Sequence, residues 1–119
     1  MKEPWNKKRP FESLYNKLRS DARVRGRDFQ LTFEEFVEFT ATPRCHYCDR
    51  PVVWTRHNIT RPKSNAYNLD RMNNEAGYTK QNLVVCCPIC NVTKGNRFSY
   101  EEFKVMIAAL VEFRRYRVL

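Results

Sequence analysis

The sequence predicts a small α+β domain with two short strands and a short helix at its centre, and further helices on both sides. Three observations lead there. First, the period of the apolar residues changes between Tyr67 and Asn96. Residues 66–72 read as a first strand, Asn82–Cys86 is too short and too β-branched for a buried helix and reads as a second, whereas Pro88 to Lys94, followed by Gly95, reads as helix. Second, the flanking segments carry apolar residues at the three-to-four spacing of amphipathic helices. Third, four of the five cysteines form two Cys-x-x-Cys pairs, Cys45/Cys48 and Cys87/Cys90, that bracket the first strand. At 119 residues there is room for one core, so residues 1–119 form one domain. Its parts are a basic N-terminal arm and helix (1–31), a cysteine-bearing ββα core (45–98) and a C-terminal helix (99–119).

Residues 1–9 are basic, with Trp5 able to dock on the domain. Pro10 opens a helix with Phe11, Leu14, Tyr15, Leu18 and Ala22 on one face, ending by Gly26. Thr32 and Glu35 have capping-box spacing, so a helix packing Phe33, Phe36 and Val37 starts there and stops before Pro43. Pro51–Trp54 reads as a short strand, and residues 55–65 as a polar, basic loop. The loop after the first strand contains Gly77, which can supply a positive φ. Pro88 suits the first turn of the central helix and Gly95 its end. Ser99 and Glu102 repeat the capping box. The helix they open points Phe103, Met106, Ile107, Leu110 and Phe113 inward and carries Arg114, Arg115 and Arg117 at its end, where cations suit the dipole.

A Cys-x-x-Cys turn presents two thiolates on one side of a tight turn, and two such turns make a tetrahedral Zn²⁺ cage. Disulfides or a redox pair are the alternative, but a cytosolic chain without a βαβ pattern argues against both. Cys45, Cys48, Cys87 and Cys90 are therefore expected to hold a structural zinc that staples the core. Cys86 reads as a buried strand residue, and His46 and His57 as surface or substrate-facing groups.

The net charge is +9 and the pI about 9.6, which favours a polyanionic partner. Residues 1–31 hold nine Lys or Arg against four acids, so more than half the excess lies in the first quarter. Arg19, Arg23, Arg25 and Arg27 crowd the end of the first helix, where phosphate contact is expected, and Arg97 follows the central helix. No run of 18 apolar residues exists, and MKEPWNKKRPF lacks the apolar core of a signal peptide. A cytoplasmic protein is expected, with no membrane partner.

The motifs Leu69-Asp70-Arg71, Gly77-Tyr78-Thr79, Asn82 and Cys87 through Lys94 (Cys-x-x-Cys-Asn-x-x-Lys) resemble the ββα-metal core of the HNH endonucleases, in the zinc-containing branch with an Asp-Arg strand that phages and mobile elements carry. The likeness extends more weakly to Ala22–Phe36, Cys45–Cys48 and Phe103. It implies an endonuclease that nicks or cuts DNA with a divalent cation, and it allows a homodimer. Asp70 and Asn91 offer hard oxygens suited to Mg²⁺ or Mn²⁺, and the resemblance implies the same for these positions. It gives Asn82 the bracing of the loop between the strands; Lys94 is read as a phosphate contact.

Arg71 departs from the best-known members, which have a water-activating histidine after the acid. Arginine stays protonated and has no acceptor, so it cannot be that base, but it can stabilise charge on the phosphate. Water activation is left to the metal, His46, His57, Tyr47 or substrate phosphate. Asn73 is a second departure, at a position where an acid is frequent. A catalytically inactive, zinc-containing nucleic-acid-binding module is the alternative reading.

Overall fold

The computed structural model describes residues 11–54 and 68–117. The expectations for Trp5, Pro10, His57 and residues 55–65 lie outside them. Helix α1 (Glu12–Val24) buries Leu14, Tyr15, Leu18 and Ala22, the face its spacing predicts, and ends at Gly26, whose φ of 69° a side chain would disfavour. Helix α2 (Phe33–Thr40) starts from a complete capping box, Thr32 Oγ1 accepting from Glu35 N and Glu35 Oε1 from Thr32 N. Tyr15 ties the two helices together. Its ring packs edge-on against Phe29 and Phe33, and its hydroxyl donates to the Leu31 carbonyl at 2.7 Å.

Strand β1 (Leu69–Arg71) pairs antiparallel with β2 (Leu83–Val85), with Asp70 opposite Val84. Both strands are shorter than their sequences suggest. Asn68 adopts a left-handed φ of 62°, which ends the strand geometry on that side, and its side chain donates to the Val53 carbonyl. Lys80–Asn82 coil into a single 3₁₀ turn, so β2 begins at Leu83. Nor is Pro51–Trp54 a strand. Pro51 makes one isolated bridge to Arg44, and without an N–H it cannot extend a ladder.

Gly77 is needed for a different reason from the one its loop position suggests. It is not among the glycines at positive φ; instead, a Cβ there would lie 2.4 Å from the Asp28 carbonyl oxygen. That close approach lets residues 28–30 lie along the loop as a strap: Tyr78 N donates to Asp28 O, and Gln30 N donates to Tyr78 O, both at 2.9 Å.

Helix α3 (Pro88–Lys94) runs from the second cysteine pair to Gly95. Helix α4 (Tyr100–Arg117) follows a capping box between Ser99 and Glu102, as expected. Its inward face is shorter than its spacing predicts. Phe103 and Ile107 are buried, but Met106, Leu110 and Phe113 are 40, 39 and 58% exposed. The helix outruns the core after two turns: every described side chain from Ala108 to Tyr116 is exposed.

Candidate active site and metal centre

The two cysteine turns meet at the end of β2, where His46 N donates to the Val85 carbonyl. Residues 45–50 close on themselves, with Asp49 N donating to Cys45 O and Cys45 N to Arg50 O. At the second turn Cys87 caps α3, its Sγ accepting from Cys90 N, and Pro88 takes the first position, where its missing N–H costs nothing. The four sulfurs of Cys45, Cys48, Cys87 and Cys90 all lie within 4.8 Å of one another. Those of Cys48 and Cys87 are 3.7 Å apart, too far for a disulfide and close to the edge of about 3.8 Å in a tetrahedron of roughly 2.3 Å Zn–S bonds. The cage has the size and donor chemistry that zinc takes. Cys86 is fully buried beside it, as expected, and donates to the Cys87 carbonyl.

Asp70 sits between this centre and α3, only 5% exposed. One carboxylate oxygen, Oδ2, accepts from the Tyr47 hydroxyl at 2.6 Å and lies 3.4 Å from the Lys94 ammonium. Burial pushes the carboxyl above its ordinary range, and Tyr47 and Lys94 act against that rise. Tyr47 is pushed far up by burial and by Asp70, so it stays a donor at neutral pH rather than a base. No buried side-chain oxygen or nitrogen among the described residues lacks a hydrogen-bond partner. Asp70 Oδ1, to which no described donor is bonded, therefore reaches open space in the cleft that Asp70 lines.

Asn91 follows the same logic. Its Nδ2 donates to the Leu69 carbonyl at 2.7 Å, an assignment fixed because a carbonyl only accepts. Its Oδ1 is thereby turned away from the strand, and the residue lines the same cleft as Asp70. Two hard oxygens without a donor among the described residues, one of them a carboxylate, make a donor set suited to a small divalent cation.

Arg71 also lines this cleft. Its Nη1 donates to the carbonyls of Asn74 and Ala76, and its guanidinium lies 5.5 Å from the centre of the Tyr78 ring. Burial and then the nearby Arg27 push it below its ordinary value. Asn82 braces the loop as the resemblance implies: Oδ1 accepts from Asn73 N, and Nδ2 donates to the carbonyls of Asn73 and Gly77.

The basic residues divide. Arg25 and Arg27 line the cleft with Asp70 and Asn91, in a space of about 150 Å³. A larger groove of about 1100 Å³ shares Arg27 and Arg71 with it and runs past Asn73 to Arg97 and Tyr100. Arg97 is exposed and donates to the Thr93 carbonyl. Arg19 and Arg23 are exposed on α1, outside both spaces, Arg19 lying over the Tyr15 ring. His46 is also exposed, its Nε2 2.8 Å from the Tyr100 hydroxyl.

Lys94 is the correction. It is 0% exposed; its ammonium donates to Arg71 O at 3.1 Å and Asn74 Oδ1 at 3.0 Å and pairs with the Asp70 carboxylate at 3.4 Å. An ammonium sealed from solvent and held by these partners inside the protein is not a phosphate contact. Its position, one turn after Asn91 on α3, aims it beneath β1 rather than outward. Tyr78, which the sequence marks only through its Gly-Tyr-Thr motif, is buried beside this cleft and accepts from Arg27 at its hydroxyl.

No family model matches the chain. It is 31% identical over 102 residues to an uncharacterized protein, R423, of Acanthamoeba polyphaga mimivirus, a stretch of 86% of this chain but only 17% of that protein. The chain thus spans less than a fifth of that relative's length. Among solved structures it is similar to the rare-cutting HNH restriction endonuclease PacI, with a TM-score of 0.68, 22% identity, and coverage of 100% of this chain and 89% of that one. The α+β fold, with its ββα core, is therefore similar to the fold of PacI. No helix among the described residues is long and apolar enough to cross a membrane.

Proposed function

We propose that this chain is an endonuclease that hydrolyses phosphodiester bonds in DNA, with Mg²⁺ or Mn²⁺ held by Asp70 and Asn91 and a structural zinc on Cys45, Cys48, Cys87 and Cys90. One observation carries it: Asp70 and Asn91, each with an Oδ1 that no described donor occupies, line a single cleft together with Arg25, Arg27 and Arg71. The likeness to PacI, a restriction endonuclease, supports DNA as the substrate. In the reaction water adds to phosphorus, the P–O bond to the leaving sugar oxygen breaks, and the proton lost by water balances the one the leaving oxygen gains. A divalent cation bound at the two oxygens supplies positive charge to the scissile phosphate and the leaving oxygen.

The chain's own residues do the rest. Lys94 and Tyr47 hold Oδ2 of Asp70 from behind, so the carboxylate presents Oδ1 to the cleft. Asn91 is oriented by the Leu69 carbonyl. Arg71, steadied by two loop carbonyls, offers its remaining N–H groups to the charge that develops on phosphate, and Arg71→Ala should slow cleavage roughly 10²- to 10³-fold. The exposed Arg19, Arg23 and Arg97 add backbone affinity.

Plasmid nicking by the zinc-loaded chain with Mg²⁺ or Mn²⁺ is the test. Asp70→Asn, which keeps the size of the side chain and an acceptor for Lys94, should abolish nicking with zinc content unchanged. A wild-type chain that binds DNA but never cleaves it would instead establish the inactive, nucleic-acid-binding reading.

A further inference from the structure

The sequence treats the N-terminal arginines as one patch of general affinity, but the fold separates them. The strap of residues 28–30 is bonded through its backbone to Tyr78, 48 or more positions later. It carries Arg27 to the Tyr78 hydroxyl, to which Nη1 donates at 3.1 Å. The same phenol lies 5.5 Å from the Arg71 guanidinium through its ring. One buried tyrosine thus holds two guanidiniums, one at its hydroxyl and one at its face. Among the described residues no carboxylate lies within 4.0 Å of either guanidinium. Each retains N–H donors that no acceptor among the described residues takes. Clustered like charges raise one another's energy, and the common resolution is an anion between them. The space they share with Asp70 and Asn91, about 150 Å³, has room for a phosphate group with a cation.

We infer that this cleft is a subsite for one phosphate, the reacting one, and that Arg27 is a catalytic residue contacting it, with Tyr78 as its positioning residue. The inference rests on the nuclease reading and adds to it which N-terminal arginine acts on chemistry rather than on affinity. Arg27 and Arg71 form a fork around the phosphate's non-bridging oxygens, while the cation occupies the Asp70–Asn91 side. Arginine suits the role because its planar fork matches two phosphate oxygens at once.

Two measurements on the full zinc-loaded chain test it. The first needs no cleavage: inorganic phosphate is titrated in the presence of Mg²⁺ while the arginine Nε–H signals are followed by NMR. Saturable shifts of the Arg27 and Arg71 signals are expected, and Arg27→Ala should abolish the Arg71 shift. The second is single-turnover plasmid cleavage at saturating enzyme. Arg27→Ala should lower the rate about 10²-fold, the usual loss for one preorganised donor. Its plasmid affinity should change by less than about threefold, since many other phosphate contacts remain. Added guanidinium should restore part of that rate, which a folding defect would not allow. Tyr78→Phe, which keeps the ring, should slow cleavage less than Arg27→Ala does and leave affinity unchanged.

If phosphate moves neither signal, or Arg27→Ala weakens binding while the saturated rate stands, the subsite is refuted. Phosphate binding at Arg27 and Arg71 in a chain that never cleaves would uphold the subsite and sink only the nuclease reading.

Discussion

Lys94→Met tests the least expected feature of the molecule. The substitution keeps most of the side chain's length and apolar volume but deletes an ammonium with no solvent exposure and three protein acceptors. Asp70, nearly as buried, then keeps only the Tyr47 hydroxyl, while Arg71 O and Asn74 Oδ1 lose their shared donor. Removing one partner of a buried ion pair costs about 3–5 kcal/mol, because the other charge is left uncompensated. Against a total stability of roughly 5–15 kcal/mol this is a large fraction. At about 4 °C per kcal/mol for a domain of this size, Tm should fall by roughly 12–20 °C. Differential scanning calorimetry of the zinc-loaded chain reads the change. The double variant Asp70→Asn/Lys94→Met should lose less than the two single losses added together, by about 0.5–3 kcal/mol, since the two side chains touch. A Lys94→Met protein that melts within about 2 °C of wild type but binds DNA more weakly would restore Lys94 to the surface role its sequence suggests and refute the buried-pair account.

Three further predictions concern the zinc cage, the strap and the last helix. Elemental analysis should find about one zinc per chain, and Cys48→Ser should unfold or aggregate the protein, because a structural site contributes folding energy directly; a metal-free chain of undiminished Tm would remove the cage from the fold. Gly77→Ala places a Cβ 2.4 Å from a backbone oxygen, and overpacking of that kind typically costs about 1–3 kcal/mol. Urea melts should show that loss, and cleavage should slow as Arg27 shifts with the strap. Phe103→Ala should cost about 3–5 kcal/mol at its fully buried position. Met106→Gln, on the exposed side of the same helix, should stay within about 0.5 kcal/mol, a contrast that equal losses would overturn.

What the sequence disclosed was local or was written in spacing. The boxes Thr32/Glu35 and Ser99/Glu102 are complete within four residues, so both helix starts were readable. The cysteine pairs and the Asp70–Asn91 constellation were readable from motif spacing. Distant geometry was not. Whether Lys94 points under β1 or into solvent depends on how α3 packs, and a helical period of one turn cannot decide it. Likewise α4 repeats its apolar spacing over about three turns, but the core beneath it covers only two. Gly77 was flagged as a glycine that matters for the wrong reason, since a close approach from residue 28 leaves no mark in the residues around it.

The zinc cage also sets an order of events. The cleft draws Arg27 from before the first cysteine turn, Asp70 and Arg71 from between the turns, and Asn91 from the residue next to Cys90. Apart from the neighbours Asp70 and Arg71, none of these side chains is near another in an extended chain, and long-range pairings form only after loop closure has been achieved. A chain with one cysteine turn loaded, or released before residue 90 has emerged, has no partial site to work with. Under the proposed function, activity should therefore arrive in one step, late, and together with the metal, so that zinc supply would decide when the proposed site exists.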